Sequence, residues 1–262
     1  MSADASAILA LVLYAAVAGV VIVVQALTCA DNWRIWFLHI IARTYTPFMF
    51  RQRLSQPCPL PAAGPALLIG NHRSPVDPML IFSTVGIRSD RYRIRVPEFL
   101  TATEYTEIGG AIGFICRTLG TIPVDRDGRD MESAKRALRR LQAGRIVGIF
   151  PEGRINTGPG LLPPIPGVGW LALKGGAPVY PVYVHDAPQA KGMVAPFITR
   201  TKARVIYGEP IDLSQFAKQR VTAELLAEVT SLLMDKLAET GGLKRPQLSI
   251  VADDSTEQRN SA

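Results

Sequence analysis

The sequence predicts an α/β protein with a largely parallel sheet flanked by helices and preceded by an N-terminal membrane helix. Short apolar runs bounded by Gly or Pro recur along the chain, and such runs are typical of buried strands. Amphipathic stretches separate several of these runs, which favours parallel strands joined by helices. An uncharged apolar segment of roughly 20 residues precedes all of them, and that length is enough to cross a bilayer.

The apolar N-terminal segment, residues 8–27, reads ILALVLYAAVAGVVIVVQAL and carries no charge. A cleaved signal peptide normally begins with basic residues and has a shorter apolar core. Here Asp4 is the charged side chain that precedes the run, and neither Lys nor Arg does. We therefore predict a retained anchor, either single-pass or monotopic.

The next segment, residues 33–53, interleaves aromatic side chains with arginines, as in WRIWFLHIIARTYTPFMFRQR. Aromatic and basic side chains together favour the headgroup layer of a bilayer. The arginines follow the apolar run and none precedes it, so the positive-inside rule places the bulk of the chain in the cytoplasm. Residues 1–55 are predicted to form a membrane anchor and interfacial segment.

A folded domain is predicted at residues 56–245, beginning with the Pro-rich linker 56–65, and the polar tail 246–262 is predicted to be disordered. The predicted strands are the short apolar runs at 66–70, 94–96, 120–124, 146–150, 178–184 and 203–208. The predicted helices lie at 79–85, 98–116, 131–144, 168–176 and 223–240.

Composition limits the partners of this 262-residue chain. A hydrophobic content of 48% is ample for a core, and the net charge of +7 suits nucleic acid, an anionic membrane surface or a phosphorylated substrate. The chain has 7% aromatic residues and neither zinc-finger spacing nor an RNP motif, which argues against nucleic acid. The three cysteines are widely spaced, so they predict no disulfide framework and no metal site and fit a reducing compartment.

The stretch GNHRSPVDP, residues 70–78, places His72 and Asp77 just after the predicted strand 66–70. Ligands bind at strand ends in parallel α/β sheets. In one interpretation Asp77 caps the following helix and His72 is an ordinary loop residue. In the other, Asp77 orients the imidazole, and His72 takes a proton from a nucleophile.

Two further strand ends carry charged residues and a glycine: Asp125 and Arg126, and then Glu152, Gly153 and Arg154. Each group is also compatible with a simple surface turn. If the strands are parallel, their ends share one edge of the sheet, and a His–Asp pair beside arginines suits deprotonation of a hydroxyl next to a phosphate. Glycine at position 153 allows the backbone to approach a ligand closely.

Four blocks follow one another in the chain: NHRSPVD at 71–77, GTIPVDR at 120–126, FPEGR at 150–154 and VYPV at 179–182. In this order, downstream of a membrane anchor, they resemble the blocks of the 1-acylglycerol-3-phosphate acyltransferases, the PlsC-type glycerolipid acyltransferases. YGEPIDL, at 207–213, is similar to that family's closing strand and turn. The resemblance implies the glycerolipid acyltransferase fold and an acyltransferase domain at 56–245.

The resemblance also implies a mechanism and a set of site residues. His72 would be the general base and Asp77 would fix its tautomer. The acceptor oxygen, on 1-acylglycerol-3-phosphate or another lysophospholipid, would attack the thioester of acyl-CoA or acyl carrier protein directly, with no metal and no bound cofactor. The implied substrate-binding residues are Asn71, Arg126, Glu152, Gly153, Arg154 and Pro181. Glu98 is a further, weaker candidate.

The sequence departs from the family pattern on the presumed acceptor side. FPEGR lacks a Thr between Gly153 and Arg154, and PPIPG, residues 163–167, replaces a basic segment. Another lysophospholipid or hydroxylated lipid is therefore the alternative acceptor. A hydrolase lacks support because the chain has no G-x-S-x-G elbow. The alternative of another class is a non-catalytic membrane adaptor, which would have no need of the His72 and Asp77 pair.

Overall fold

A mixed sheet forms the centre of the protein, and its strand order is β1-β7-β6-β2-β5-β3-β4. The computed structural model describes residues 3–29, 32–87, 92–125, 131–165, 167–216 and 219–243. Within this part of the chain the strands are β1 (Arg53–Leu54), β2 (Ala66–Gly70), β3 (Pro97–Ala102), β4 (Ile122–Val124), β5 (Ile146–Ile149), β6 (Val179–His185) and β7 (Arg204–Tyr207). Strands β6, β2, β5, β3 and β4 are parallel, so their carboxyl ends share one edge.

Helices cover both faces of this sheet. In the described residues they are α1 (Ala3–Thr28), α2 (Trp33–Phe50), α3 (Asp77–Phe82), α4 (Thr103–Glu107), α5 (Gly110–Thr118), α6 (Met131–Gln142), α7 (Val168–Gly175), α8 (Ala195–Ile198) and α9 (Ala223–Thr240). Side chains alternate between faces along a strand. In β2, Leu67 and Ile69 pack with α6, α7 and α9, whereas Leu68 packs with α3 and the end of α2.

The predicted α/β class is confirmed, and so is the largely parallel character of the sheet. Strand β2 has the predicted bounds, and β4, β5, β6 and β7 lie within one or two residues of theirs. The predicted helices at 131–144, 168–176 and 223–240 correspond to α6, α7 and α9. The exception to parallel pairing among the long strands is β7, which runs antiparallel to β6.

The prediction for residues 94–116 was wrong. Ile94 makes only an isolated bridge with Ile87, and the strand starts later, at Pro97. Glu98 therefore lies in β3 and not at the start of a helix, because β3 pairs with the buried strand β5 in the register Glu98↔Val147. Two short helices, α4 and α5, replace the single predicted helix. Pairing with β5 outweighs the local sequence preference in this segment.

Helix α1 is long and apolar enough to cross a membrane. Its segment Asp4–Thr28 has a mean hydropathy of 2.9, and the most apolar part of this segment is not buried by the rest of the described chain. The predicted span, residues 8–27, lies inside it. Its side chains are exposed to the surroundings almost throughout, as expected for a helix whose packing partner is not protein.

Helix α2 packs against the sheet domain, although residue 55 was predicted as a domain boundary. Its inner residues, which include Trp36 and Ala42, are buried with Phe82 and Val85 beneath them. On its other side Trp33, Phe37, Ile41 and Phe48 are exposed. The predicted Pro-rich linker also contributes, because Leu60 packs against the same core. The predicted tail 246–262 lies outside the described residues.

His39 is fully buried on the inner side of α2, edge-on to Phe82 with the ring centroids 5.0 Å apart. Burial, together with a smaller effect of the nearby positive charge of Arg43, lowers the pKa of His39 from its ordinary 6.5 to about 4. The ring is therefore neutral in the folded protein at physiological pH.

We expect the folded state to lose stability as the pH falls from about 6.5 to about 4. In this window the unfolded chain binds a proton at His39 and the folded chain does not, so acid favours unfolding. The difference is on the order of 3 kcal/mol. Denaturant unfolding at both ends of the window measures it, with His39→Leu as the comparison. If both proteins show the same pH slope, His39 does not carry this effect.

Candidate active site

His72 and Asp77 are held together in a tight turn just after β2. His72 Nδ1 lies 3.0 Å from Asp77 Oδ2. The same oxygen accepts hydrogen bonds from the backbone N–H of Arg73 at 2.6 Å and of Ser74 at 2.8 Å. Asp77 is fully buried and is the first residue of α3, and the residue at the capping position is Val76. The interpretation of Asp77 as a helix cap was therefore wrong, because its carboxylate points back to the turn.

This arrangement defines which nitrogen of His72 is free. A carboxylate accepts hydrogen bonds and donates none, so Nδ1 carries the hydrogen and donates it to Asp77. Nε2 then has an unshared electron pair. The His72 side chain is 18% exposed, whereas that of Asp77 is inaccessible. A ligand bound at this site can thus reach the imidazole but not the carboxylate.

An aromatic stack supports the imidazole ring. The ring of His72 lies over Phe150 with centroids 4.2 Å apart and planes 11° apart, and Phe150 stacks on Phe99 at 5.1 Å and 7°. A Cβ at Gly148 would lie 2.5 Å from the Phe99 ring, so glycine at this position in β5 leaves room for the stack. Sequence reasoning missed this support, since nothing in the local sequence pattern indicates that Phe150 stacks on His72 and Phe99 on Phe150.

Glu152 fixes the backbone of His72. Its Oε1 accepts a hydrogen bond from the His72 N–H at 2.9 Å. Its Oε2 accepts from Asn156 Nδ2 at 2.7 Å and from the Leu162 N–H at 2.9 Å. The Asn156 N–H in turn donates to the His72 carbonyl at 2.7 Å. Glu152 was predicted to bind substrate, and the structure places both of its oxygens on donors from the protein.

Asn71 and Ser74 join the turn to β6 and to the loop that follows it. Asn71 is buried, and its Oδ1 accepts a hydrogen bond from the Val184 N–H in β6 at 2.7 Å. Its Nδ2 donates a hydrogen bond to the Val184 carbonyl at 3.0 Å. The Ser74 hydroxyl donates to the carbonyl of Pro188 at 2.6 Å. Since this hydroxyl is buried and engaged, Ser74 is not placed to act as a nucleophile. Arg73 donates to the carbonyl of Gly158 and so pins the loop after β5.

Gly153 and Arg154 form the turn that follows β5. Gly153 has a φ of +66°, and a Cβ there would lie 2.5 Å from Ile165 Cγ2. Ile165 belongs to the unusual PPIPG segment, and its N–H donates to the Pro151 carbonyl at 2.7 Å. Within the described part of the chain, Arg154 is exposed and makes no hydrogen bond or ion pair. Its guanidinium is available to a ligand.

Of the remaining predicted residues, Asp125 and Pro181 are described, and neither is brought to His72. Asp125 directly follows β4, which lies at the edge of the sheet, three strands from β2, or about 14 Å away at normal strand spacing. Its Oδ1 accepts a hydrogen bond from the Thr103 hydroxyl at 2.7 Å. Arg126 lies outside the described residues. Pro181 is buried within β6 opposite Ile69, and its carbonyl accepts from Gly208 N–H at 2.9 Å.

Glu98 lies at the other end of β5 from the candidate site. Its Oε1 pairs with Arg145 at 2.6 Å and its Oε2 lies 3.3 Å from Arg140. Arg145 precedes β5, whereas Glu152 follows it, so Glu98 serves the amino-terminal edge of the sheet. The residues that the structure describes contain no group of three or more His, Cys, Asp or Glu side chains placed to hold a metal ion.

Comparison with known proteins gives a consistent result. A family model described as acyltransferase matches residues 51–185. The 1-acyl-sn-glycerol-3-phosphate acyltransferase of Bacillus subtilis (strain 168) is 30% identical over 128 residues, which cover 49% of this chain and 61% of that protein. The Escherichia coli (strain K12) enzyme of the same name is 26% identical over 216 residues, 78% of this chain and 79% of its own length.

A solved structure shares the fold. The crystal structure of the 1-acyl-sn-glycerophosphate acyltransferase PlsC from Thermotoga maritima superposes with a TM-score of 0.61 at 20% identity. The superposition covers 87% of this chain and 90% of that one. The described architecture is therefore that of the glycerolipid acyltransferase fold.

Glu152→Gln should destabilise the fold by about 1–3 kcal/mol, because an amide placed among three donors leaves at least one buried N–H unsatisfied. Denaturant unfolding measures this loss. Arg154→Gln, two residues away and exposed, is the matched control and should leave the unfolding free energy within about 0.5 kcal/mol of the wild type. Equal stability of Glu152→Gln and the wild type would contradict a positioning role for Glu152.

Proposed function

This chain belongs to the acyltransferase family, and from that premise we propose that it acylates the free hydroxyl of 1-acylglycerol-3-phosphate, giving phosphatidic acid. The acyl donor is a thioester, acyl-CoA or acyl carrier protein. The observation that carries the proposal is the contact between His72 Nδ1 and Asp77 Oδ2 at 3.0 Å, with the imidazole side chain partly exposed. The names of the relatives from Bacillus subtilis and Escherichia coli support the choice of acceptor.

The proposed reaction is a direct transfer. The acceptor hydroxyl donates its proton to His72 Nε2 while its oxygen attacks the thioester carbonyl. Asp77 stabilises the imidazolium that forms, as the carboxylate does in other His–Asp pairs. The tetrahedral intermediate collapses with cleavage of the C–S bond, and the imidazolium returns the proton to the leaving thiolate. An acyl-enzyme through Ser74 is disfavoured, since its hydroxyl donates to Pro188 at 2.6 Å.

The proposed acceptor site lies beside the turn after β5. Arg154 is the exposed cation there, and a planar guanidinium binds phosphate through paired hydrogen bonds. Gly153 and Glu152 shape this turn from within. The replacement of the basic segment by PPIPG, with Ile165 packed on Gly153, leaves a second acceptor class open. That class comprises lysophospholipids without a terminal phosphate and other hydroxylated lipids.

The proposed location is a membrane, with the catalytic domain on the cytoplasmic side. Support comes from α1, which has the length and hydropathy of a span, and from the exposed aromatic side chains on the outer side of α2. The arginines follow α1, as the positive-inside rule requires. A reporter fused to the C-terminus should be active only in the cytoplasm, and activity on the opposite side would contradict this orientation.

His72→Ala should reduce acyl transfer by about 10²–10⁴-fold, because the general base is lost. Asp77→Asn should also reduce transfer, since the imidazole loses its negative partner and its fixed tautomer. Transfer from radiolabelled acyl-CoA to lysophosphatidate by purified protein measures both effects. His185→Ala, on the strand next to β2, is the matched control and should stay within a few-fold of wild type. Near-normal transfer by His72→Ala would remove His72 from the mechanism.

Arg154→Ala should lower kcat/KM for lysophosphatidate by roughly one to two orders of magnitude, because a charge-assisted contact is worth about 1.5–3 kcal/mol. Acceptors without a terminal phosphate should lose much less, and the KM of the acyl donor should hardly change. Lys174→Ala is the control, since Lys174 ends α7 just before β6 begins and so lies at the opposite edge of the sheet. An equal loss on both acceptor classes would assign the phosphate to another residue.

A further inference from the structure

The loop between β6 and β7 presents an apolar surface that no described residue covers. Val194 and Ile198 are each 68% exposed. From residue 51 onward, these are the most exposed large hydrophobic side chains of the described chain. They stand four residues apart across the short helix α8, so they lie on the same side of it. Single exposed apolar residues are common, whereas here two of them lie together on one turn.

The same loop is strongly basic. Lys191, Arg200 and Lys202 are exposed, and residues 187–203 contain no Asp or Glu. The described part of the chain offers these three cations no ion pair. An apolar tip flanked by unpaired cations is typical of a segment that lies in the interface of an anionic bilayer. At an interface with a protein partner, by contrast, the apolar core is surrounded by a polar rim.

The loop is fixed beside the end of α2. The Tyr45 hydroxyl donates to the Phe197 carbonyl at 2.7 Å. The Ala203 N–H donates to the Phe50 carbonyl at 2.9 Å, and Phe197 packs against the same core cluster as Phe50. At this end of α2, Phe48 is 72% exposed. The exposed apolar side of α2 and the tip of the loop therefore belong to one rigid part of the molecule.

The loop is also tied to the candidate catalytic turn. The Pro188 carbonyl, at its start, accepts the hydrogen bond of the Ser74 hydroxyl at 2.6 Å. The Ser74 N–H donates to Asp77 Oδ2 at 2.8 Å. Two hydrogen bonds thus separate the loop from the carboxylate that orients His72. If the loop rests on a surface, these bonds therefore fix the distance between His72 and that surface.

We propose that residues 189–202 form a bilayer contact separate from the N-terminal helices. Val194 and Ile198 enter the apolar layer, while Lys191, Arg200 and Lys202 meet the headgroups of anionic lipids. This contact rests on the proposed function, because it holds the cleft at the height where a lipid acceptor presents its headgroup. Together with α1 and α2 it gives the molecule a third membrane contact, on the side that carries the catalytic turn.

Depth-dependent fluorescence tests the contact directly. The full chain, with Cys29, Cys58 and Cys116 replaced by Ala and Ile198→Cys carrying an environment-sensitive fluorophore, is reconstituted into phosphatidylcholine vesicles with and without phosphatidylglycerol. Quencher groups attached to the lipid acyl chains should quench this label strongly, and more so with phosphatidylglycerol. The same label at Glu228→Cys, exposed on α9 at the other face of the sheet, should be quenched weakly.

Three results would overturn the proposal. Equal quenching at positions 198 and 228 would show that the loop does not enter the bilayer. Equal quenching with and without phosphatidylglycerol would remove the three cations from the headgroup contact. Shielding of the label in detergent that grows with protein concentration would show that a second copy of the chain covers the loop.

Activity provides a second test in the native cysteine background. Val194→Ser combined with Ile198→Ser should lower kcat/KM about tenfold for an acceptor embedded in vesicles. Both aliphatic side chains would no longer be buried in the apolar layer of the bilayer, and losing even part of that burial energy corresponds to about a factor of ten. For a short-chain acceptor dissolved as monomers, the rate should stay within about twofold. A matched loss on both acceptors would mean a structural defect and would overturn the proposal.

The two tests separate this proposal from the proposed function. If the wild-type protein acylates neither acceptor, the assignment of the reaction fails, and the quenching at position 198 still decides whether the loop contacts the bilayer. If transfer is normal and the double variant equals the wild type on vesicles, the reaction assignment stands and the loop contact is refuted.

Discussion

One buried oxygen, Oδ2 of Asp77, is the constraint on which the site depends. It takes three hydrogen bonds, from the His72 ring and from two backbone N–H groups, whereas Oδ1 has none among the described residues and is buried as well. A buried carboxylate is costly unless donors compensate its charge. Here the compensation comes from the turn itself, so the turn and the carboxylate stabilise each other.

A second buried carboxylate controls His72 from the other side. Asp77 holds the ring, and Glu152 holds the backbone N–H of the same residue at 2.9 Å. Because Glu152 follows β5 and Asp77 follows β2, the parallel pairing of these neighbouring strands is what brings both carboxylates to one histidine. Asn71 adds β6 to this arrangement through its paired hydrogen bonds with Val184. Three adjacent strands thus determine the position of a single imidazole.

Sequence patterns predicted the parts of this arrangement that depend on local chemistry. The apolar run of β2 and the polar turn after it indicated both the strand and the His–Asp pair. The role of Asn156 was not predictable in the same way, since it sits in a Gly/Pro loop and meets His72 across 84 residues. Glu98 followed an apolar run that looked like a strand end, but pairing with β5 shifted the strand and placed this carboxylate on Arg145 instead. Long-range pairing decided these cases, and local periodicity does not encode it.

The stack of His72 on Phe150 and Phe99 restricts how protons move in the cleft. Nδ1 is hydrogen-bonded to Asp77, and Phe150 covers one face of the ring. The imidazole is therefore not free to rotate by 180° between accepting a proton and donating it. In the proposed transfer, the nitrogen that receives the proton of the attacking oxygen would therefore be the one that gives it to the departing sulfur. Both atoms would then approach Nε2 from the side of the ring that Phe150 leaves uncovered. The two substrates would then lie side by side, with the acceptor oxygen and the thioester sulfur both within hydrogen-bond distance of the same nitrogen.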